Sequence, residues 1–178
     1  TGEEKKVNYE KRIYEFACVF LVKGRRYENP PAQFAFRHLC NILQIQQGNL
    51  EKSKDYFRHI IKTTEDAERF YSRAKRAWKW INTYAPEEFK FTVQYNPAHK
   101  TAHPDLLLDM IALLRALPDG FTNEDGLAGQ TYALMKKHNV EPKIVFQEMY
   151  QILVAKKSGP KLSSFFLAIG PKQSADIL

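Results

Sequence analysis

Cysteine and long apolar runs are both scarce in this sequence. Only Cys18 and Cys40 occur among its 178 residues, each among apolar neighbours, which predicts buried thiols in a reducing compartment rather than a disulfide. No run approaches the roughly 18 apolar residues of a membrane span, and the start is charged where a signal peptide is apolar. We therefore expect a cytoplasmic protein without a membrane partner. Because the sequence begins with Thr1 instead of Met, we also expect a fragment or a processed chain.

Catalytic motifs are missing as well. The sequence has no phosphate-binding glycine loop, no Gly-x-Ser-x-Gly element and no Cys/His cluster with zinc spacing. The five histidines are scattered, and the pair His99 and His103, in the segment NPAHKTAHP, has no Cys or third His nearby. An ordinary loop is favoured there over a metal site. We expect no catalytic residue and no bound metal in this chain.

The composition is that of a basic globular protein. Hydrophobic residues make up 44% of the chain and aromatic residues 13%, so a core can form without disulfides. The formal net charge is +7. A basic surface of this size suits a nucleic acid, an acidic protein or an anionic membrane surface. Composition alone does not choose among these partners.

Hydrophobic periodicity predicts an all-α protein. Apolar residues recur at steps of three and four along most of the chain. Residues 9–22 fit either a helix or a buried strand, residues 89–93 a short extended piece, and residues 172–178 a tail. The predicted helices cover residues 32–48, 49–62, 65–84, 105–117, 123–138, 141–157 and 160–169.

Proline-rich segments divide the predicted bundle. The run Asn29-Pro30-Pro31 is a firm stop, and the loop at 96–104 carries proline near both ends. The multi-helix bundle is therefore expected in three parts: a connector at residues 1–30, a helical subdomain at 31–100 and a C-terminal helical subdomain at 101–178.

The helix predicted at 65–84 carries a second stripe beside its apolar face. Arg69, Arg73, Arg76 and Trp80 recur at i, i+4, i+7 and i+11, which places them roughly 100–120° from the core face. Arginines in line with an aromatic side chain suit phosphate contacts and base stacking. The alternative is a solvated face whose Trp80 packs at the core edge and whose arginines pair with acidic residues of the first turn. The predicted core face is Ala67, Phe70, Tyr71, Ala74, Ala77, Trp78, Ile81 and Tyr84.

A helix, a Gly-Pro break and a second helix form the pattern at 140–169. The first helix ends in Lys156 and Lys157, where the helix dipole favours cations. Pro160 is expected to begin the next helix and Lys161 to lie in its first turn. A helix N-terminus of this kind can bind a phosphate. Phe165 and Phe166 in the second helix are expected in the core.

The corner sequence YQILVAKKSGPKLSSFFLAIG resembles the C-terminal end of class I lysyl-tRNA synthetases. A looser version occurs at the end of glutamyl-tRNA synthetases. Two further stretches agree with the resemblance, ENPPAQFAFRHLCNILQIQQGN and the YAPEEFKF at 84–91. Together the three stretches cover most of residues 28–170.

The resemblance implies an α-helix-cage bundle that binds the anticodon stem-loop of tRNA(Lys) in protein biosynthesis. Anticodon bases are unpaired and therefore open to stacking and edge contacts. The parent enzymes attach lysine to tRNA with ATP, but their His-x-Gly-His and KMSKS-like motifs do not occur here. This chain alone is therefore not expected to aminoacylate or to hold a cofactor, and a monomer is expected. The RNA-binding candidates are Arg37, Arg69, Arg73, Arg76, Trp80, Lys156, Lys157 and Lys161.

A different class of function remains open beside this one. An all-α adaptor whose basic face binds an acidic protein would share the composition and the helix pattern. Salt dependence separates the two hypotheses, because phosphate binding weakens linearly in the logarithm of the salt concentration. Residues 1–30 are expected to connect to the rest of a larger enzyme or to contact the tRNA stem.

Overall fold

The computed structural model describes residues 12, 32–94 and 100–178. Between residues 32 and 178 the described part contains eight α-helices and no strand, so the predicted all-α bundle is confirmed there. The helices are α1 (Phe36–Ile45), α2 (Leu50–Tyr56), α3 (Thr64–Thr83), α4 (Pro104–Ala116), α5 (Glu124–Lys137), α6 (Pro142–Val154), α7 (Leu162–Ile169) and α8 (Pro171–Ile177).

Residues Phe34–Leu178 form one compact unit, and Thr1–Gln33 belong to another. The predictions for residues 9–22, for Cys18 and for the connector at 1–30 lie outside the described residues, apart from Arg12. The division of the larger unit into subdomains at 31–100 and 101–178 stays a prediction.

Helix α1 lies at the centre of the larger unit. It packs against α2, α3 and α7, while α4 packs against α5 and α8. Its apolar side is almost completely buried, and so is the predicted core pair Phe165 and Phe166 of α7, which is confirmed. Burial also raises the pKa of the free thiol of Cys40 on α1 to about 11. The buried side chains of α1 are Leu39, Cys40, Ile42, Leu43, Gln44 and Ile45.

Aromatic packing shortens the first two helices relative to the prediction. Helix α1 begins at Phe36 instead of residue 32, because the buried ring of Phe34 packs edge-on against Phe57 and Phe70 at centroid distances of 5.4 and 5.5 Å. Phe57 enters the same cluster, and α2 ends just before it. Local periodicity cannot reveal these long-range ring contacts.

Helix α3 was predicted almost to its ends. Thr63 accepts a hydrogen bond from the Asp66 backbone N–H at 3.1 Å and caps the helix. The buried side chains on the predicted core face are Phe70, Ala74, Ala77 and Ile81. Tyr84 is an exception, because it follows the last helical residue and is 71% exposed.

The C-terminal region differs from the prediction in two ways. Helix α6 ends at Val154 instead of residue 157. The next residue, Ala155, has a left-handed backbone conformation with φ 52°. Helix α7 begins after Lys161 instead of at Pro160, whose carbonyl accepts a 2.6 Å hydrogen bond from the Tyr150 hydroxyl. That bond joins the corner to α6 before the next helix starts.

The predicted C-terminal tail is wrong, because residues Pro171–Ile177 form helix α8. Gly170 turns the chain at φ 105°, a conformation that side-chain-bearing residues rarely adopt. Pro171 then occupies the first turn, where its missing N–H is harmless. Ala175 and Ile177 are buried, and the helix packs on α4. Two buried apolar residues in a seven-residue segment do not form a periodic pattern from which the helix could have been predicted.

Gly48, which ends the turn after α1, offers a test of this packing. Its φ is 77°, and a Cβ there would lie 2.5 Å from the Trp78 ring, whereas Gly120 has φ 75° and only the tip of Arg58 at 4.0 Å. Both alanine substitutions cost about 1–2 kcal/mol for the left-handed backbone. Gly48→Ala adds overpacking of about 1–3 kcal/mol. We expect urea unfolding to show the larger loss for Gly48→Ala, and equal losses would contradict this packing.

Candidate nucleic-acid interface

The predicted stripe lies along α3 beside its buried face. Arg73 and Arg76 are exposed, whereas Arg69 and Trp80 are half-buried. The Arg73 guanidinium donates a 2.9 Å hydrogen bond to the carbonyl of Phe34, and Arg69 also has an interaction within the protein. Within the described part of the chain, Arg76 makes no hydrogen bond or ion pair. It is therefore the member of the stripe whose guanidinium is most accessible to a ligand.

Trp80 forms the middle of a row of three rings. Its ring meets those of Phe36 and Phe89 edge-on, each at a centroid distance of 5.1 Å. Trp80 therefore packs at the edge of the core, as the alternative interpretation of the stripe expected. Phe36 remains 48% exposed, so an apolar ring surface persists beside the arginines. Phe36 was not among the predicted site residues, because nothing in the sequence distinguishes it from the other apolar residues of the helix predicted at 32–48.

The three corner lysines have different surroundings. The Lys156 ammonium donates to the carbonyl oxygens of Glu87, at 2.8 Å, and Lys90. It therefore joins the end of α6 to the segment after α3. Lys157 is exposed and has no polar partner among the described residues. Lys161 is exposed and forms ion pairs with the carboxylates at the start of α5.

The segment after α3 is held by a second internal contact. The buried Gln44 amide accepts a hydrogen bond from the Phe91 N–H at 2.8 Å and donates to the Phe89 carbonyl at 3.4 Å. The Gln94 N–H donates to the Leu153 carbonyl at 2.8 Å. These hydrogen bonds attach the segment to both α1 and α6. Residues 89–93 are irregular and form no strand.

A polar pocket brings two of the predicted residues together. Arg37 on α1 and Lys161 before α7 both line a depression of about 370 Å³. The sequence analysis missed the other polar side chains of this pocket. His38 and Asn41 on α1 are two of them. Asn41 lies at i+4 from Arg37 and therefore on the same helix face, but this spacing occurs on any helix and is not a specific signal. The remaining lining residues are Ala35, Ile42, Ile45, Glu124, Pro160 and Ser164.

Glu124 is the electrostatic centre of this pocket. Its carboxylate accepts from the Lys161 ammonium and from the Ser164 hydroxyl, both at 2.8 Å. Burial raises the pKa of the Glu124 carboxyl, but the hydrogen bonds from Lys161 and Ser164 outweigh it, and the pKa lies below its usual value. Asp125 is also within 3.3 Å of the Lys161 ammonium. Much of the positive charge of Lys161 is therefore balanced inside the protein.

Burial of His38 favours the neutral form of its imidazole. Burial lowers the pKa of its imidazole, and the nearby Glu124 carboxylate only partly opposes that effect. The ring packs against Tyr56 and Phe57 at centroid distances of 5.6 and 5.3 Å. A neutral imidazole offers one N–H donor and one acceptor nitrogen.

A larger cleft adjoins the pocket. It has a volume of about 840 Å³ and lies between α2, the loop at 120–122 and the start of α8. Ile45 and Glu124 line both cavities. Its charged lining is mixed in sign, because Lys52 and Arg58 line it together with Glu51 and Asp55. The cleft therefore extends the pocket without adding a strong positive field.

The histidine pair of the proline-rich loop has no metal-like surroundings in the described residues. His103 lies 3.1 Å from Glu148, which also accepts from Thr101 at 2.8 Å. His99 is outside the described residues. No group of three His, Cys, Asp or Glu side chains with metal-binding geometry occurs in residues 32–94 and 100–178. The helices described there also include none long and apolar enough to span a membrane.

Several lysine–tRNA ligases are similar to this chain over nearly its whole length. The identity is 34% over 173 residues for the protein of Treponema pallidum, 31% over 175 for that of Borrelia garinii and 28% over 179 for that of Pyrococcus furiosus. The matches cover 92–94% of this chain, which spans only 30–32% of the length of these curated relatives. No family model matches the chain. The predicted resemblance to lysyl-tRNA synthetases is confirmed.

The Glu124 contacts predict a pH-dependent contribution to stability. A carboxyl whose pKa is lower in the folded than in the unfolded protein stabilises the fold above the unfolded value of about 4.5 and loses that contribution as pH falls through the folded pKa. We expect Glu124→Gln to lower the free energy of unfolding by about 1 kcal/mol at pH 7, and by less at pH 3.5. Urea unfolding at both pH values measures the difference.

Glu88→Gln is the matched control for this measurement. Glu88 is exposed and has no hydrogen bond or ion pair among the described residues, so its substitution should have little effect at either pH. A Glu124→Gln loss that stays the same at pH 3.5 would show that the carboxylate charge is not the cause.

Proposed function

We propose that this chain is a tRNA-binding helical domain of a lysine–tRNA ligase and that it binds the anticodon stem-loop of tRNA(Lys). The observation that carries the proposal is the similarity to proteins named lysine–tRNA ligase across 92–94% of the chain. Those proteins are about three times longer than the matched part. The proposal therefore assigns one task of such an enzyme to this chain.

The geometry supports binding of an unpaired RNA segment. An anticodon loop offers phosphates for cations and splayed bases for aromatic and polar side chains. Arg76 and the exposed Phe36 ring provide such groups beside α3, and Arg37 provides another at the polar pocket. Lys156 has a structural contact instead, so we assign it no RNA phosphate.

Aminoacyl transfer is proposed to lie outside this chain. The sequence lacks the His-x-Gly-His and KMSKS-like elements with which class I synthetases bind ATP. We propose that the chain needs no cofactor of its own and acts with the ATP-dependent part of the enzyme in the cytoplasm. Its oligomeric state is proposed to be monomeric.

Competition between anticodon stem-loops tests this function. We expect the 178-residue chain to bind a stem-loop with a UUU anticodon at least about tenfold more tightly than one with a changed anticodon, about 1.4 kcal/mol. The ratio should survive a rise in salt, because base contacts do not release counterions as phosphate contacts do. Fluorescence anisotropy at two salt concentrations measures it.

Two outcomes of that competition would count against the proposal. Equal affinity for both stem-loops, lost at higher salt, would indicate generic attraction to a basic protein. Failure to bind either stem-loop would favour the adaptor hypothesis, in which the basic face meets an acidic protein.

The α3 stripe gives a separate prediction about phosphate contacts. Arg76→Ala should weaken binding of every stem-loop by a similar factor and reduce the slope of log affinity against log salt by about one. Thermal stability should be unchanged, because Arg76 has no polar partner in the described structure. Arg73→Ala is less informative, since it also removes the bond to the Phe34 carbonyl.

Arg115→Ala is the control for Arg76→Ala. Arg115 is exposed and pairs with Asp176 at 3.2 Å on the α4–α8 side of the protein. Its loss removes the same formal charge without touching the stripe. If both variants reduce the salt slope equally, the stripe has no special part in RNA binding.

A further inference from the structure

We propose that the pocket lined by Arg37, His38, Asn41 and Lys161 receives one unpaired uracil base of the RNA loop and that the Asn41 amide reads its edge. The inference rests on the proposed function and makes it specific, because it assigns discrimination among bases to one cavity. It starts from a polar group that the rest of the protein does not use.

Asn41 is that unused polar group. Its amide has no hydrogen-bond partner in the described residues, although the side chain is half-buried and lines the pocket. Two other amides near the end of α1 are used internally. Gln44 bonds to the backbone of residues 89 and 91, and Gln46 donates to the Ala168 carbonyl. A half-buried amide without partners is available for a ligand that offers both a donor and an acceptor.

The size of the cavity favours a single base over a base pair. A volume of about 370 Å³ lies at the lower end of small-molecule pockets. Ala35 and Pro160 give it apolar surface against which a flat ring can pack. Proteins recognise single-stranded RNA by taking in such unstacked bases.

The polar lining favours uracil over cytosine. Uracil carries an N–H between two carbonyl groups, so one asparagine amide can accept from the N–H and donate to a carbonyl. The carboxylate of Glu124 is already bonded to Lys161 and Ser164, which leaves donors such as the Arg37 guanidinium facing the ligand. Donors suit the second carbonyl of uracil and oppose the amino group of cytosine.

The cations at the pocket have a second role in this arrangement. Arg37 is exposed and has no polar partner in the described structure, so its guanidinium can stack on the base or contact the adjacent phosphate. Lys161 is held by Glu124 at 2.8 Å and Asp125 at 3.3 Å. Its contribution to phosphate attraction is therefore smaller than that of Arg37.

Single-base substitutions in the stem-loop test the pocket. Three stem-loops, each with one anticodon U changed to C, are compared with the UUU stem-loop by fluorescence anisotropy. For the wild-type chain we expect a loss of about tenfold or more at the one position that the pocket reads. Asn41→Ala should reduce the loss at that position and leave the effects at the other two unchanged.

Asn41→Asp provides a second variant. It keeps an acceptor for the uracil N–H but places a second acceptor against a uracil carbonyl, so it should bind the UUU stem-loop less tightly than the wild-type chain does. Circular dichroism checks that this loss does not result from misfolding. Asn82→Ala is the control, because Asn82 is an exposed asparagine on α3 that bonds within its own helix.

The outcomes separate this inference from the proposed function. If the wild-type chain discriminates UUU and both Asn41 variants, folded by circular dichroism, keep the full wild-type pattern, the pocket does not read a base and the tRNA-binding proposal stands. If the wild-type chain binds all stem-loops equally or binds none, both proposals are wrong. A change confined to one position in the Asn41 variants supports the pocket.

Discussion

The burial of α1 on three sides is the constraint on which the candidate interface depends. Helices α2, α3 and α7 all pack against it, and its side chains Leu39, Ile42 and Leu43 are at most 1% exposed. Each such side chain contributes about 1.5–3 kcal/mol when it is fully buried. A helix packed in this way has little rotational freedom, so the backbone positions of the residues on its remaining edge are fixed. Arg37 and Asn41 lie on that edge.

The start of α1 also links the two surfaces that carry candidate residues. Phe36 belongs to the ring row of α3, and the next residue, Arg37, lines the polar pocket. Because successive helical residues point about 100° apart, neighbouring positions face the two surfaces on either side of one helix end. An RNA loop that places a base in the pocket therefore has its backbone close to the α1 end of the stripe.

Helix existence could be predicted from the sequence where a regular apolar face runs for three turns or more. Helix α3 has such a face and a threonine cap, and its predicted and observed bounds nearly coincide. The end of α6 and the start of α7 could not be predicted, because they depend on the Lys156 and Tyr150 contacts with distant backbone carbonyls. Helix α8 is too short for its periodicity to show.

Only two of the ten residues that line the pocket were among the predicted site residues. Arg37 and Lys161 were noticed as basic residues near conspicuous proline motifs, but nothing in the sequence places them at one cavity. That proximity results from the packing of α1 on α7. His38 and Asn41 have no distinctive sequence context, and only the fold reveals that His38 is packed among aromatic rings and that Asn41 is without partners.

The charge distribution assigns attraction of the RNA backbone and discrimination among bases to different parts of the surface. A net charge of +7 provides long-range attraction for any polyanion, and it carries no base information. At the pocket, Glu124 and Asp125 balance much of the Lys161 charge, so a phosphate gains less there than beside Arg76. A weak local field with unused hydrogen-bonding groups suits a neutral base, whose recognition depends on donor and acceptor positions. The stripe of α3 and the pocket of α1 are thus suited to different parts of one nucleotide chain.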